Sequence, residues 1–108
     1  MGLKVDKPRE RLTHFFLLNF TEAGFRSLRR SPNRLRRANQ LMKKLGASCK
    51  FYLTLGSYDI VGLITAPDDR VAAKLALALN SLGTVRVSVL KAWNLSNEEY
   101  ADFLKDIG

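Results

Sequence analysis

The stretch His14-Phe-Phe-Leu-Leu-Asn-Phe20 is apolar at odd and even positions alike, the pattern of a strand covered on both faces and therefore central in its sheet. A polar connection containing Gly24 follows over 21–31, with room for a short helical turn. Ser31-Pro32 then reads as an N-cap followed by the residue favoured at the first helical position. Leu35, Ala38, Met42 and Leu45 recur at helical spacing up to Gly46, a natural residue for a helix C-terminus, so the spacing predicts a helix from about 32 to 45.

Residues 47–55 and 58–66 read as two strands joined at Gly56-Ser57, a two-residue loop suited to a type II′ hairpin turn. That register sets Leu55 opposite Tyr58 and Thr54 opposite Asp59. Alternation places Phe51, Leu53, Leu55, Tyr58, Ile60 and Ile64 on one face, and Tyr52, Thr54, Asp59, Val61 and Leu63 on the other. Pro67-Asp68-Asp69 opens a second helix, nearly all Ala and Leu over 71–82 and ended by Gly83. Val85, Val87 and Val89 then alternate with Arg86, Ser88 and Leu90 in a last strand. Ser96 and Glu99 stand at capping-box spacing ahead of a short terminal helix reaching Ile107, which Trp93 and Tyr100 are expected to seat.

The order β-α-β-β-α-β plus a helix predicts an α+β, ferredoxin-like fold over 13–108, preceded by a flexible basic leader over 1–12. Right-handed crossovers give a four-stranded antiparallel sheet of order 4-1-3-2 with both long helices on one face. The other face is left bare, yet the central strands are apolar on both sides: Phe15 and Leu17 back onto Phe16 and Leu18, and Val61 and Leu63 onto Ile60 and Ile64. Burying four such side chains yields about 1.5–3 kcal/mol each, comparable with the lower part of an association cost of about 4–15 kcal/mol. A second copy stacked sheet on sheet is the expected cover, so the chain is read as a homodimer, with Ala73 and Leu77 on the outer side of the second helix hinting at higher multiples.

At 108 residues and 46% hydrophobic content, the chain fits one domain with a modest core. No apolar run is long enough to span a bilayer and no signal-type stretch opens it, so a cytoplasmic protein without membrane partner is expected. A lone Cys49 and a lone His14 argue against an internal disulfide and a conventional zinc site; neither metal nor cofactor is expected. The net charge of +8 is unevenly spread. Between Ala23 and Tyr58 there is no acid, against nine cations: Arg26, Arg29, Arg30, Arg34, Arg36, Arg37, Lys43, Lys44 and Lys50. Such a block is either a solvated helix face or an attractor of anions.

The run Phe51-Tyr-Leu-Thr followed by Gly56-Ser-Tyr-Asp59 and Ile-Val resembles the GYD domain family, named for its Gly-x-Tyr-Asp motif. The segment Leu18-Asn-Phe-Thr-Glu-Ala-Gly24, the Ser31-Pro32 helix start, Ala66-Pro-Asp-Asp69, Ala76-Leu-Ala-Leu-Asn-Ser-Leu-Gly83 and Val85-Arg86 agree with that pattern, from about residue 14 to 93. The resemblance implies kinship with dimeric α/β-barrel proteins, which include monooxygenases, isomerases and ligand-sensing modules. It carries over no activity.

In this topology strand one ends, and strands three and four begin, at one sheet edge, which brings Asn19, Asp59 and Arg86 to that edge; parity lets all three share the face that also carries Tyr52 and Thr54, with the place of Asn19 set by which face strand one gives to the helices. Tyr58 lies on the opposite face with its hydroxyl at the rim. Arg26, Arg29, Arg30, Arg34, Arg36 and Arg37 form a basic rim near the same edge. These residues describe a mouth for a small anionic or aromatic molecule, while a plain Asp59–Arg86 ion pair accounts for two of them structurally. His14 opens strand one at the far edge, so no catalytic His–Asp pair is expected within one subunit. No Gly-rich phosphate loop or Ser-His-Asp arrangement is present, and no reaction is assigned. Two other functions stay open. One is nonspecific nucleic-acid or polyanion binding through the basic helix, although strand three lacks the aromatics that RNA-recognition sheets use; the other is a ligand-free interaction module.

Overall fold

The structure, a computed structural model, describes residues 12–107. The leader expected over 1–12 lies outside the described residues except for Leu12, which already belongs to the first strand. The elements run β1 (Leu12–Phe20), α1 (Glu22–Arg26), a 3-10 turn (Leu28–Arg30), α2 (Ser31–Lys44), β2 (Ser48–Leu53), β3 (Ile60–Ala66), α3 (Asp69–Ser81), β4 (Val85–Ala92) and α4 (Asn97–Phe103). They form a four-stranded antiparallel sheet of order β2-β3-β1-β4, the expected order, with β1 and β3 in the centre.

Register and burial assign the faces. His14, Phe16 and Leu18 of β1 are buried together with Ile60, Ile64 and Ala66 of β3, and Ala38, Met42, Ala72, Leu75 and Leu79 of α2 and α3 pack over them. Gly62 sits opposite Phe51, and a Cβ there would meet the Phe51 ring at 2.8 Å, so the absent side chain is what lets that ring lie across β3. The alternate residues face away from the helices. Lys50, Leu63, Phe15 and Leu90 form one cross-strand row of this open face, and Tyr52, Val61, Leu17 and Ser88 the next. Leu90 and Tyr52 are half exposed, and Phe15, Leu17, Val61 and Leu63 are only partly covered.

Local ends differ from expectation in three places, one of them α4, which stops at Phe103 instead of reaching Ile107. Ser31 is not an N-cap: it is the first residue of α2, and its hydroxyl donates to the Leu28 carbonyl at 2.8 Å, because the 3-10 turn runs straight into the helix. The hairpin is also looser than a two-residue turn. Ladder pairing stops at Leu53–Ile60, and only the Thr54 N–H to Asp59 carbonyl bond at 3.0 Å continues the register. Beyond it Asp59 turns to the other neighbour, its N–H donating to the Leu18 carbonyl at 2.9 Å, so Leu55 is left fully exposed instead of pairing with Tyr58. The remaining caps are as expected. Asp68 accepts from the Val71 N–H at 3.0 Å, Ser96 accepts from the Glu99 N–H at 3.2 Å, and Gly46 and Gly83 take positive φ after α2 and α3.

At the sheet end away from the hairpin, the imidazole Nε2 of buried His14 lies 3.0 Å from Asp69 Oδ1, and the Lys91 ammonium reaches Asp69 Oδ2 at 3.0 Å. This pair forms because α3 begins directly over the start of β1, with Asp69 in its first turn, at the end of the sheet opposite Asp59. Since Asp69 is the acceptor, Nε2 carries the proton, and Nδ1 is buried with no partner. The Lys91 ammonium holds the Asp69 carboxyl below its ordinary value near 3.8, with His14 adding to the effect against some desolvation. A carboxyl depressed on folding contributes stability that is present above its unfolded pKa and lost as the pH falls through its folded one. The melting temperature of Asp69→Asn is therefore expected below wild type at neutral pH, with the gap closing as the pH drops below about 4; a gap that stays constant down to acid pH contradicts the linkage.

Candidate functional site

The docking of α1 begins at Thr21. Its N–H donates to the Thr84 carbonyl at 3.0 Å, its hydroxyl donates to the Gly83 carbonyl at 2.7 Å, and the same oxygen caps the Gly24 N–H at 3.1 Å. Gly24 lies so close to the Thr84 carbonyl oxygen that a Cβ has no room. The short helix is thereby fixed against the turn before β4, and Phe25 and Leu28 are held out over the end of the sheet. The Phe25 ring leans on Phe20 with centroids 5.2 Å apart and planes tilted by 56°. Arg34 ties the other side, its guanidinium donating to the Ser27 hydroxyl at 3.2 Å and carbonyl at 3.4 Å.

Between this segment, the first turns of α2 and the last residues of β2 lies a groove of about 430 Å³. Its walls are chiefly apolar: Phe20, Phe25, Leu28, Leu35, Phe51 and Leu53. Three of these remain open to solvent, Phe25 at 56%, Leu28 at 47% and Leu53 at 85% exposed. A second, cationic hollow adjoins it at Phe25 and Leu28 and is lined further by Arg26, Arg29 and Arg30.

Of the residues expected at the mouth, Tyr52, Thr54 and Asp59 line this groove, whereas Asn19, Tyr58 and Arg86 do not. Asn19 and Arg86 face one another across β1 and β4 on the open side of the sheet. The Asp59–Arg86 ion pair is not formed. The Asp59 carboxylate instead accepts the Phe20 N–H at 2.8 Å, satisfying a donor at the point where β1 runs past its ladder with β3, and among the described residues Arg86 has no ion pair. Thr54 closes the hairpin by donating its hydroxyl to the Tyr58 carbonyl at 2.6 Å. The basic rim divides: Arg29 and Arg30 stand at the groove's side, Arg26 pairs with Glu22 at 3.2 Å, Arg36 bonds Asn33 at 2.6 Å, and Arg37 lies further along α2.

The residues that shape the groove and were missed are Phe25 and Leu28. Their signal was present, two large apolar side chains three apart inside a segment read as polar connection. Nothing in the groove forms a catalytic constellation, and among the described residues no group of three or more His, Cys, Asp or Glu could hold a metal. Cys49 donates to the Asn39 side-chain oxygen at 2.9 Å, and burial pushes its thiol up to about 11. Because the thiolate is the reactive form, alkylation of the folded protein by iodoacetamide at pH 8 is expected to run at least tenfold slower than for a free cysteine; alkylation at the free rate contradicts this environment.

The arrangement is one of shape and charge: an open apolar slot with guanidinium groups beside it, at the end of a sheet whose second face is uncovered. Among the described residues, no helix is long and apolar enough to cross a membrane. A relative from Thermus thermophilus bears the name glutamine synthetase and cystathionine beta-lyase binding protein; it is 33% identical over 82 residues, which cover 74% of this chain and 86% of the relative. No solved structure matches the chain. The GYD domain family matches over residues 15–104, and the chain belongs to that family.

Proposed function

We propose that the protein is a self-associating docking module, in which two copies pair through the open sheet face and the hairpin-end groove holds an acidic, apolar-anchored segment of a partner protein. The observation that carries this reading is the groove itself: Phe25 and Leu28 stand half exposed over the end of the sheet and belong to no core, and Arg29 and Arg30 flank them. Exposed apolar side chains collected at one place and rimmed by charge mark interaction surfaces. The name of the Thermus relative points to the same class of partner, since it describes a protein that binds enzymes.

The pairing rests on Phe15, Leu17, Val61 and Leu63, with Leu90 and Tyr52 adding area at the edges. Lys50 and Arg86 sit at the margins of that face, where a pair of stacked sheets leaves them in water. A second reading keeps a small anionic or aromatic molecule as the occupant, favoured by a groove volume within the range of about 300–1,000 Å³ usual for such ligands.

Titration of purified glutamine synthetase and of cystathionine beta-lyase with the full chain tests the proposal. Saturable binding to at least one enzyme is expected, weakening as salt rises and at least tenfold weaker for Leu28→Asp. Absence of binding to both enzymes, combined with a rise in melting temperature on adding benzoate or indole acetate, supports the small-molecule reading. Tight binding to an oligonucleotide that persists at physiological salt overturns both, since charge-driven phosphate contact fades there.

A further inference from the structure

We propose that the groove has a resident competitor: the C-terminal arm, residues 93–107, of a second copy of this chain. The inference rests on the self-association and groove just described, and it names a regulatory occupant for that site. The arm is only loosely seated: Trp93, Leu95, Phe103 and Ile107 are 58–71% exposed, none of them belongs to the core, and Tyr100 and Phe103 of α4 border an open hollow beside Thr13 and Lys91. Seven residues of helix are too few to persist in water on propensity and capping alone, so the formed α4 calls for a surface to lie against.

Its chemistry matches the groove. Tyr100, Phe103, Leu104 and Ile107 recur at i, i+3, i+4 and i+7; Tyr100 and Phe103 stand within α4, and Leu104 and Ile107 continue the apolar spacing through the turns that follow it. Glu98 and Asp102 share another face of α4, and with Glu99 and Asp106 they give residues 96–107 four acids against the single Lys105. The segment that supplies most of the groove wall is the reverse, without an acid between Ala23 and Tyr58, and the carboxylate that does line the groove, Asp59, is engaged by the Phe20 N–H. An acidic helix with an aromatic stripe is thus the ligand that an apolar slot beside Arg29 and Arg30 would select, and the chain supplies one.

The topology indicates whose arm it is. The arm leaves β4 beside Thr13 at the start of β1, while the groove lies at Phe20 at the end of β1, a strand length of roughly 25 Å away. When two sheets stack about a two-fold axis that crosses the strands, the arm end of each copy comes over the hairpin end of the other. Both arms are then placed to fill both grooves reciprocally, and an outside partner must displace an arm to enter.

Fluorescence anisotropy with a labelled synthetic peptide of residues 93–107 tests this on the full chain. Phe103→Asp with Ile107→Asp disables the resident arm, and the peptide is expected to bind that variant at least tenfold more tightly than it binds wild type. Adding Leu28→Asp, or Arg29→Glu with Arg30→Glu if the first perturbs folding by circular dichroism, is expected to weaken the peptide at least tenfold. A peptide with Ser at positions 100, 103 and 107 is expected not to bind. The proposal is overturned by equal binding with and without the groove substitutions, by equal binding of the Ser peptide, by equal binding to wild type and arm variant, or by no binding. If the peptide fails while the enzymes still bind in a Leu28-dependent way, the docking function stands and the arm loses its role; peptide binding without enzyme binding gives the opposite division.

Discussion

Asp59→Ala is expected to lower stability by roughly 1–3 kcal/mol, because it removes the acceptor of the Phe20 N–H at the one point where β1 runs beyond its pairing with β3. For a domain near this size, that corresponds to a fall in melting temperature of roughly 5–15 °C. Asp59→Asn retains a side-chain oxygen that can still accept the bond but forgoes its charge-assisted character, so a loss of about 1 kcal/mol is expected. The graded order, wild type above Asn above Ala, separates this anchor from an ion pair with Arg86, for which Asn and Ala would cost alike and Arg86→Ala would cost as much. Arg86 has no ion-pair partner among the described residues, so Arg86→Ala is expected to leave the melting temperature within about 0.5 kcal/mol of wild type. Equal melting temperatures for wild type and Asp59→Ala contradict the assignment.

Leu63→Lys is expected to weaken self-association by at least a hundredfold while leaving the fold intact. Leu63 lies on the open side of β3, between Lys50 and Phe15 in the cross-strand row, and contributes nothing to the core beneath the helices. An ammonium at that position stays hydrated in the monomer but has to be stripped of water in a stacked pair, a cost of several kcal/mol with no counter-charge in the row. Far-ultraviolet circular dichroism should be unchanged. Sedimentation should show the loss, and an unaltered association constant would place the contact between copies somewhere other than this face.

The sequence made the sheet legible because both of its signals were strong. The two-sided apolar run of β1 placed it centrally, and the alternation in β3 and β4 fixed which side chains face the helices. The hairpin register was legible too, since Thr54 and Asp59 remain opposite one another, but the turn was not, because Asp59 serves two bonds to β1 that no local pattern announces. The same blindness to contacts distant in sequence explains the His14–Asp69 pair, whose members are 55 residues apart. At the site, Tyr52, Thr54 and Asp59 could be read from strand parity alone. Phe25 and Leu28 stand out in the sequence as two large apolar residues three apart, but their place over the sheet end depends on Gly24 nesting against Thr84, a close approach of two backbones that is visible only once the chain is folded.

Light scattering on the unaltered full chain at micromolar concentration tests the pairing most directly. A mass of about twice the 12.2 kDa of one chain, or an even multiple of it, is the predicted result; a single species at the mass of one chain would mean that the open sheet face needs no second copy to cover it.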